Sequence, residues 1–263
     1  MVQKLNQGSI MKNLTLAILA LSVVSNPVQA SKTKYKDSDW NVTFMTNKSH
    51  NLHGQDIKWV DYNGDKALQF TLEGGKPGLR GEDDKQQSWG PKFKERNEVY
   101  NHEYFDRKPH TIELQFKMVA GFRTRHESFF QIHSYGKNCK SAKPPLMLRM
   151  HRGELRALTK GSDQNDQVPI NLNVHRKQLI GKWHDLVITS KLIDKNHISY
   201  SIQSKSLGIN KTLPNSYMLS CGTQYVKFGI YRPSKANIKF KQSLTKINDT
   251  SVIQFDDIKL LKK

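Results

Sequence analysis

The chain has 263 residues, a formal net charge of +19 and only two cysteines. This length suits one domain with an ample core, and the excess of cations points to a polyanionic partner. No metal-ligand cysteine spacing exists, so a zinc-ribbon class is excluded.

Met11-Lys12-Asn13 opens a positively charged start, 14–24 is a short apolar run, and Val28-Gln29-Ala30 is a small-residue cleavage pattern. The apolar run is too short to span a bilayer. Residues 1–30 therefore read as a leader and secretory signal peptide cut after Ala30, and residues 31–263 as a single exported domain, secreted or periplasmic. Export favours an acidic polysaccharide over nucleic acid as the polyanion. No zinc finger or other nucleic-acid motif is present. A monomer without stable membrane insertion is expected. Cys139 and Cys221 form an even pair, which in an exported protein suggests one disulfide.

Beyond residue 31, polar turn-rich segments separate short runs that alternate apolar and polar residues at the strand period. The pattern predicts strands over 67–72, 96–100, 112–118, 129–133, 146–151, 183–192, 197–203, 225–232 and 252–261. Residues 79–93 read as a long loop, and 159–180 as an irregular segment lying over a groove. No segment shows a sustained helical period. Many short strands without helices imply an all-β fold, a β-sandwich jelly roll with one sheet bent into a concave substrate groove.

Two of these strands carry an unusual polar face. In 129–133, Phe130 and Ile132 face inward, so Gln131 and His133 share the opposite side. In 225–232, Val226, Phe228 and Ile230 face inward, leaving Tyr225, Lys227, Gly229 and Tyr231 on the other side. Such groups bind a carboxylate and move a proton. Cleavage of a uronate by elimination needs both: the carboxylate must be neutralised before the C5 proton leaves, and the departing oxygen needs an acid. No metal or organic cofactor is required for that chemistry.

Gln131-Ile132-His133, Tyr225-x-Lys227-x-Gly229-x-Tyr231 and Arg96-x-Glu98 resemble the three motif strands of jelly-roll polysaccharide lyases. That group includes the alginate lyase family with R-x-E, Q-I-H and Y-F-K-x-G-x-Y motifs, and heparin lyase I and glucuronan lyase relatives. Residues 181–186, 229–232 and the run from Pro144 lean toward the heparin lyase I-like branch. The resemblance covers roughly residues 60–261 in matching order. It departs at Asn97, where the alginate family has a small residue, and after Tyr231, where a Gln is common.

The resemblance implies that Tyr231 protonates the leaving oxygen and, in a syn elimination, also takes the C5 proton. It makes His133 the base of an anti elimination, or otherwise a carboxylate neutraliser. Gln131 and Arg96 would bind the uronate carboxylate. Lys227, Tyr225, Arg149, Lys117 and Glu98 would contact substrate. Tyrosine ionises near ~10 unperturbed, so a base role needs nearby cations; Arg96 and Lys227 are the expected sources, with Arg232 a third only where the strand ends before it, since alternation otherwise turns it to the opposite face. Asp256 and Asp257 in the closing strand resemble positions that hold a structural calcium in some sandwich domains. The histidines His102, His110, His151, His175, His184 and His197 show no metal spacing and are expected at the surface or in loops.

The leading expectation is thus an exported lyase acting on a heparin- or heparan-like glycan, glucuronan or alginate. A non-catalytic acidic-glycan-binding jelly roll is the alternative. A sandwich glycoside hydrolase is disfavoured, because no strand offers carboxylates at alternate positions for a pair about 5 Å apart.

Overall fold

The computed structural model describes residues 33–46, 56–62, 64–72, 95–101, 105–106, 108–122, 126–135, 144–161, 163, 166–217, 223–232 and 250–262. The leader 1–30, the 79–93 segment, His102, Cys139 and Cys221 lie outside them. The described chain runs β1 (Lys34–Tyr35), β2 (Phe44–Thr46), β3 (Asp56–Tyr62), β4 (Asp65–Leu72), β5 (Glu95–Asn101), β6 (Phe105–Asp106), β7 (His110–Met118), β8 (Glu127–Tyr135), β9 (Leu146–His151) and β10 (Glu154–Lys160). It continues through β11 (Gln167–His175), the one-turn helix α1 (Arg176–Leu179), β12 (Trp183–Leu192), β13 (His197–Ser204), β14 (Ile209–Thr212), β15 (Ser216–Tyr217), β16 (Thr223–Arg232) and β17 (Ser251–Lys262).

Two antiparallel sheets form a β-sandwich jelly roll. The first has the order β1-β2-β5-β16-β8-β9-β10-β11, with β6 also paired to β16. The second has the order β14-β13-β12-β7-β17-β4-β3, with β15 paired to β13. The three strands that carry the motif residues are therefore consecutive neighbours, β5-β16-β8, at the middle of the first sheet.

Alternation decides which side chains meet between the sheets. Val226, Phe228 and Ile230 of β16, Phe130 and Ile132 of β8, and Phe116 and Met118 of β7 are fully buried in one apolar cluster. Phe228 is its hub. Its ring lies 4.6 Å from Phe44 of the same sheet, and 5.5 and 4.7 Å from Phe70 and Phe255 of the other. The first two pairs are edge-to-face and the third is tilted, and aromatic pairs of this kind add ~0.5–1.5 kcal/mol each beyond their buried area.

Polar groups also tie the layers together. Asn97 is buried, and its amide nitrogen donates to the carbonyls of Asp56 at 3.0 Å and Thr71 at 2.8 Å in the second sheet. An inward-facing bridge explains why a larger, hydrogen-bonding residue stands at this position. Glu127 of β8 and Arg232 of β16 form a buried ion pair, and Ser251 of β17 donates to both Glu127 carboxylate oxygens at 2.9 and 2.8 Å.

Three expectations are corrected. The segment 159–180 is not an irregular cover: it contains the end of β10, the edge strand β11 and α1. Leu172 and Val174 are buried by strand alternation, and the edge position accommodates Pro169, which pairs with Leu158. His110 and His184 are core residues, at 1% and 4% exposure. Each occupies an inward step of its strand, in phase with Ile112 and Leu186 respectively. Finally, Lys117 lies on β7 in the second sheet, on the side turned away from the core, with its ammonium 5.8 Å from the Tyr62 ring.

Candidate active site

The face of β5-β16-β8-β9 opposite the core collects the remaining predicted residues. Register sets their rows. Tyr231 lies opposite Arg96 of β5 and Ser128 of β8, and Ser128 lies opposite Arg149 of β9. Lys227 lies opposite Tyr100 and Gln131, and Tyr225 lies opposite His133. Between these rows Gly229 faces Glu98.

Gly229 is the residue that makes this geometry. Its φ is +131°, and a Cβ there would come 2.2 Å from the Asn97 carbonyl oxygen and 2.8 Å from the Glu98 Cα. Any other residue would push β5 away. With no side chain at 229, Gln131 and Glu98 reach each other across β16: the Gln131 amide nitrogen donates to Glu98 at 2.5 Å. The register shifts between Phe228 and Tyr231, a bulge that re-aims the tyrosine at the end of the strand.

At the Tyr231 end, the Arg96 guanidinium sits 5.1 Å from the centroid of the phenol ring. Arg149 is held by the Ser128 hydroxyl at 3.1 Å and the Met147 sulfur at 3.3 Å. Burial lowers the basicity of Arg149, and the nearby Tyr231 phenol acts in the opposite sense by favouring its charge. Tyr231 is thus bracketed by guanidiniums from two different strands. Arg232 is not one of them, because Glu127 neutralises it on the core side.

At the Tyr225 end, the His133 ring stacks on Tyr225 at 5.4 Å, and the Lys227 ammonium lies 5.8 Å from the same ring. Tyr100 meets Tyr225 edge-on at 6.1 Å. The His133 Nδ1 lies 3.0 Å from the Ser134 carbonyl oxygen, which only accepts. That contact places the proton on Nδ1 and leaves Nε2 as the acceptor of the neutral ring. Five residues of β16 lie between Tyr225 and Tyr231, and the bulge falls among them. Register sets His133 beside Tyr225 and Tyr231 beside Ser128, on one face of the sheet.

Residues 33–259 match the family model described as polysaccharide lyase. The chain belongs to the polysaccharide lyase family. An endo-β-1,4-glucuronan lyase from the fungus Trichoderma reesei shares the lyase's fold with a TM-score of 0.54 and 15% identity, covering 82% of this chain and 94% of the other. Family 7 alginate lyase A1-II′, solved with its product GGG, gives 0.54 and 15% over 81% and 85%. No protein of curated function matches the sequence.

The acidic residues of the lyase form a separate group. Asp257 accepts from the Gln115 amide at 2.6 Å, and Asp256 accepts from the Asp257 backbone N–H at 2.8 Å. Burial, reinforced by Asp65 and Asp257, pushes the Asp256 carboxyl up to about 6. Asp37, Asp39 and Asp65 bring one carboxylate oxygen each to within 4.8 Å of one another. Oxygen donors of this type suit calcium, and the acidic set extends beyond the Asp256–Asp257 pair expected from the sequence.

Sequence reasoning missed the Glu127–Arg232–Ser251 clamp directly behind Tyr231. Part of a signal existed: Arg232 falls on an inward step of its strand, where a charge needs an opposite charge, but Glu127 is out of phase with Phe130 and Ile132 and turns inward only through the bulge between Ser128 and Phe130.

Proposed function

We propose that this lyase cleaves a uronate-containing polysaccharide by β-elimination centred on Tyr231. The observation that carries the reading is the bracketing of one phenol by Arg96 and Arg149. Cations on both sides favour the phenolate form. The phenolate takes the C5 proton, the bond between C4 and the glycosidic oxygen breaks as the C4–C5 double bond forms, and the same phenol returns its proton to the leaving oxygen. This is the syn course.

Arg96 and the second N–H of the Gln131 amide neutralise the uronate carboxylate over the open floor at Gly229. Their stabilisation grows as charge develops on that group in the transition state. Glu98 is a carboxylate itself, so its role is to hold Gln131 rather than to touch substrate. Lys227, Tyr225 and His133 bind the neighbouring part of the glycan. Lys117 has no part in this groove.

Glucuronan, alginate and heparin- or heparan-like chains all fit these roles. The test is incubation with each polymer while following the ultraviolet absorbance of the unsaturated uronate. A rise on at least one polyuronate supports the reading. Binding without any rise would instead establish the glycan-binding alternative.

Two further proposals are independent of the chemistry. Export with cleavage after Ala30 predicts that the mature secreted protein begins at Ser31 by N-terminal sequencing; a retained residue 1–30 segment contradicts it. A structural calcium at the carboxylates around Asp65 predicts a higher Tm with calcium than with a chelator. Equal Tm values contradict it.

A further inference from the structure

The β9–β10 hairpin places a second cationic group beside the Tyr231 row. Arg149 and Arg156 stand directly opposite each other, on the face that carries Tyr231. Like charges in that register are destabilising on their own. One carboxylate faces them: Glu154 accepts from Arg156 Nη2 at 2.9 Å and also takes the Asn171 amide at 3.3 Å. Arg149 contacts no carboxylate among the described residues, only the Ser128 hydroxyl and the Met147 sulfur. The Arg156 Nε is buried without a hydrogen-bond partner among the described residues.

The hairpin itself is a rigid mount. Arg152 and Gly153 form a two-residue turn with φ of 53° and 86°, the positive pair that matches strand twist. Opposite it, His126 adopts φ 73°, and its Nδ1 meets the His151 Nδ1 at 2.8 Å. A positive φ at histidine is retained where the surroundings hold it in place. The net positive field is visible in His151, whose basicity is lowered by burial and then by Arg156, Arg152 and Arg149. Guanidiniums with unspent donors suit planar or tetrahedral oxyanions.

We propose that Arg149 and Arg156 form an anion subsite of the groove, which takes a carboxylate or sulfate on a sugar flanking the cleaved linkage. The glycan then crosses the strands from β16 over β8 and β9 to β10. The proposal rests on the lyase reading only for which linkage is cut.

Isothermal titration on the full chain carrying Tyr231→Phe, which removes turnover, gives the test. The probes are heparin, alginate and glucuronan, at low and at physiological ionic strength. Arg156→Gln should weaken binding about tenfold, the scale of one charged hydrogen bond. A loss confined to heparin identifies the sulfate as the bound group; a loss on the unsulfated polymers identifies the carboxylate. Arg156→Lys should recover part of the affinity through charge alone, while Tm and circular dichroism establish folding. An unchanged Kd for every polymer, or no binding of any, overturns the subsite. If the wild type binds, and Arg156→Gln weakens it, but no ultraviolet product appears, the elimination reading fails and the subsite stands.

Discussion

The two ends of β16 present different chemistry from one continuous strand. At Tyr231 a phenol lies between two guanidiniums, and a buried ion pair fixes the backbone behind it. At Tyr225 an imidazole and an ammonium pack on an aromatic ring. Gly229 separates them and clears the floor on which a carboxylate would rest. The difference shows how alternation, with one bulge, sets two distinct groups of polar side chains along a single strand.

Changing either end should therefore have unequal consequences. The largest effect belongs to Tyr231→Phe, which keeps the ring against Arg96 but removes the exchangeable proton. Turnover should fall by ~10³-fold or more, with the circular dichroism spectrum unchanged. Retained turnover would remove Tyr231 from the chemistry.

Next in size is the clamp behind it. Arg232→Ala leaves Glu127 charged and buried, so denaturant unfolding should show a loss of ~3–5 kcal/mol. Exchange protection at the Tyr231 end of β16 should fall before that at the Tyr225 end. A replacement that leaves stability unchanged would show that the ion pair does not hold this end.

Acid should also act on the scaffold. His110 is buried in the second sheet, and burial lowers its value from 6.5 to about 4. Its folded value lies below the unfolded one, so the unfolded chain takes up the proton first as pH falls. Stability is full above 6.5 and declines toward pH 4, by about 3 kcal/mol from this group. In His110→Phe the unfolding free energy should fall less steeply over that window; an identical slope would contradict the assignment.

The smallest change belongs to the Tyr225 end. Lys227→Gln should raise KM about tenfold with little change in kcat, as expected when an interaction is made equally in the ground and transition states. A drop in kcat without a change in KM would move Lys227 into the chemical step.

Much of this contrast is legible in the amino-acid sequence. Period-two alternation places Val226, Phe228, Ile230, Phe130 and Ile132 inward, and that puts Gln131, His133, Lys227 and Tyr231 on the same outer face. Alternation does not say which sheet a strand joins, and so it cannot separate Lys117, outward on its own strand, from the groove in the other layer. His110 and His184 are inward by the same rule, but their polarity suggests the surface. Residues 167–175 are obscured by Pro169 and two asparagines, which an edge strand tolerates because one side makes no ladder bonds. The Glu127–Arg232 pair joins positions 105 residues apart. The Tyr231 bracket needs β5 beside β16 on one side and β9 beyond β8 on the other, an order the sequence does not show.

The separation of the two ends also makes the most direct test. His133→Asn keeps a hydrogen-bonding side chain at the Tyr225 end but removes a titratable base. Initial rates of unsaturated uronate formation should fall by about tenfold or less in kcat, far less than in Tyr231→Phe. A loss as large as that of Tyr231→Phe would place the base at His133 and contradict an elimination carried by the tyrosine alone.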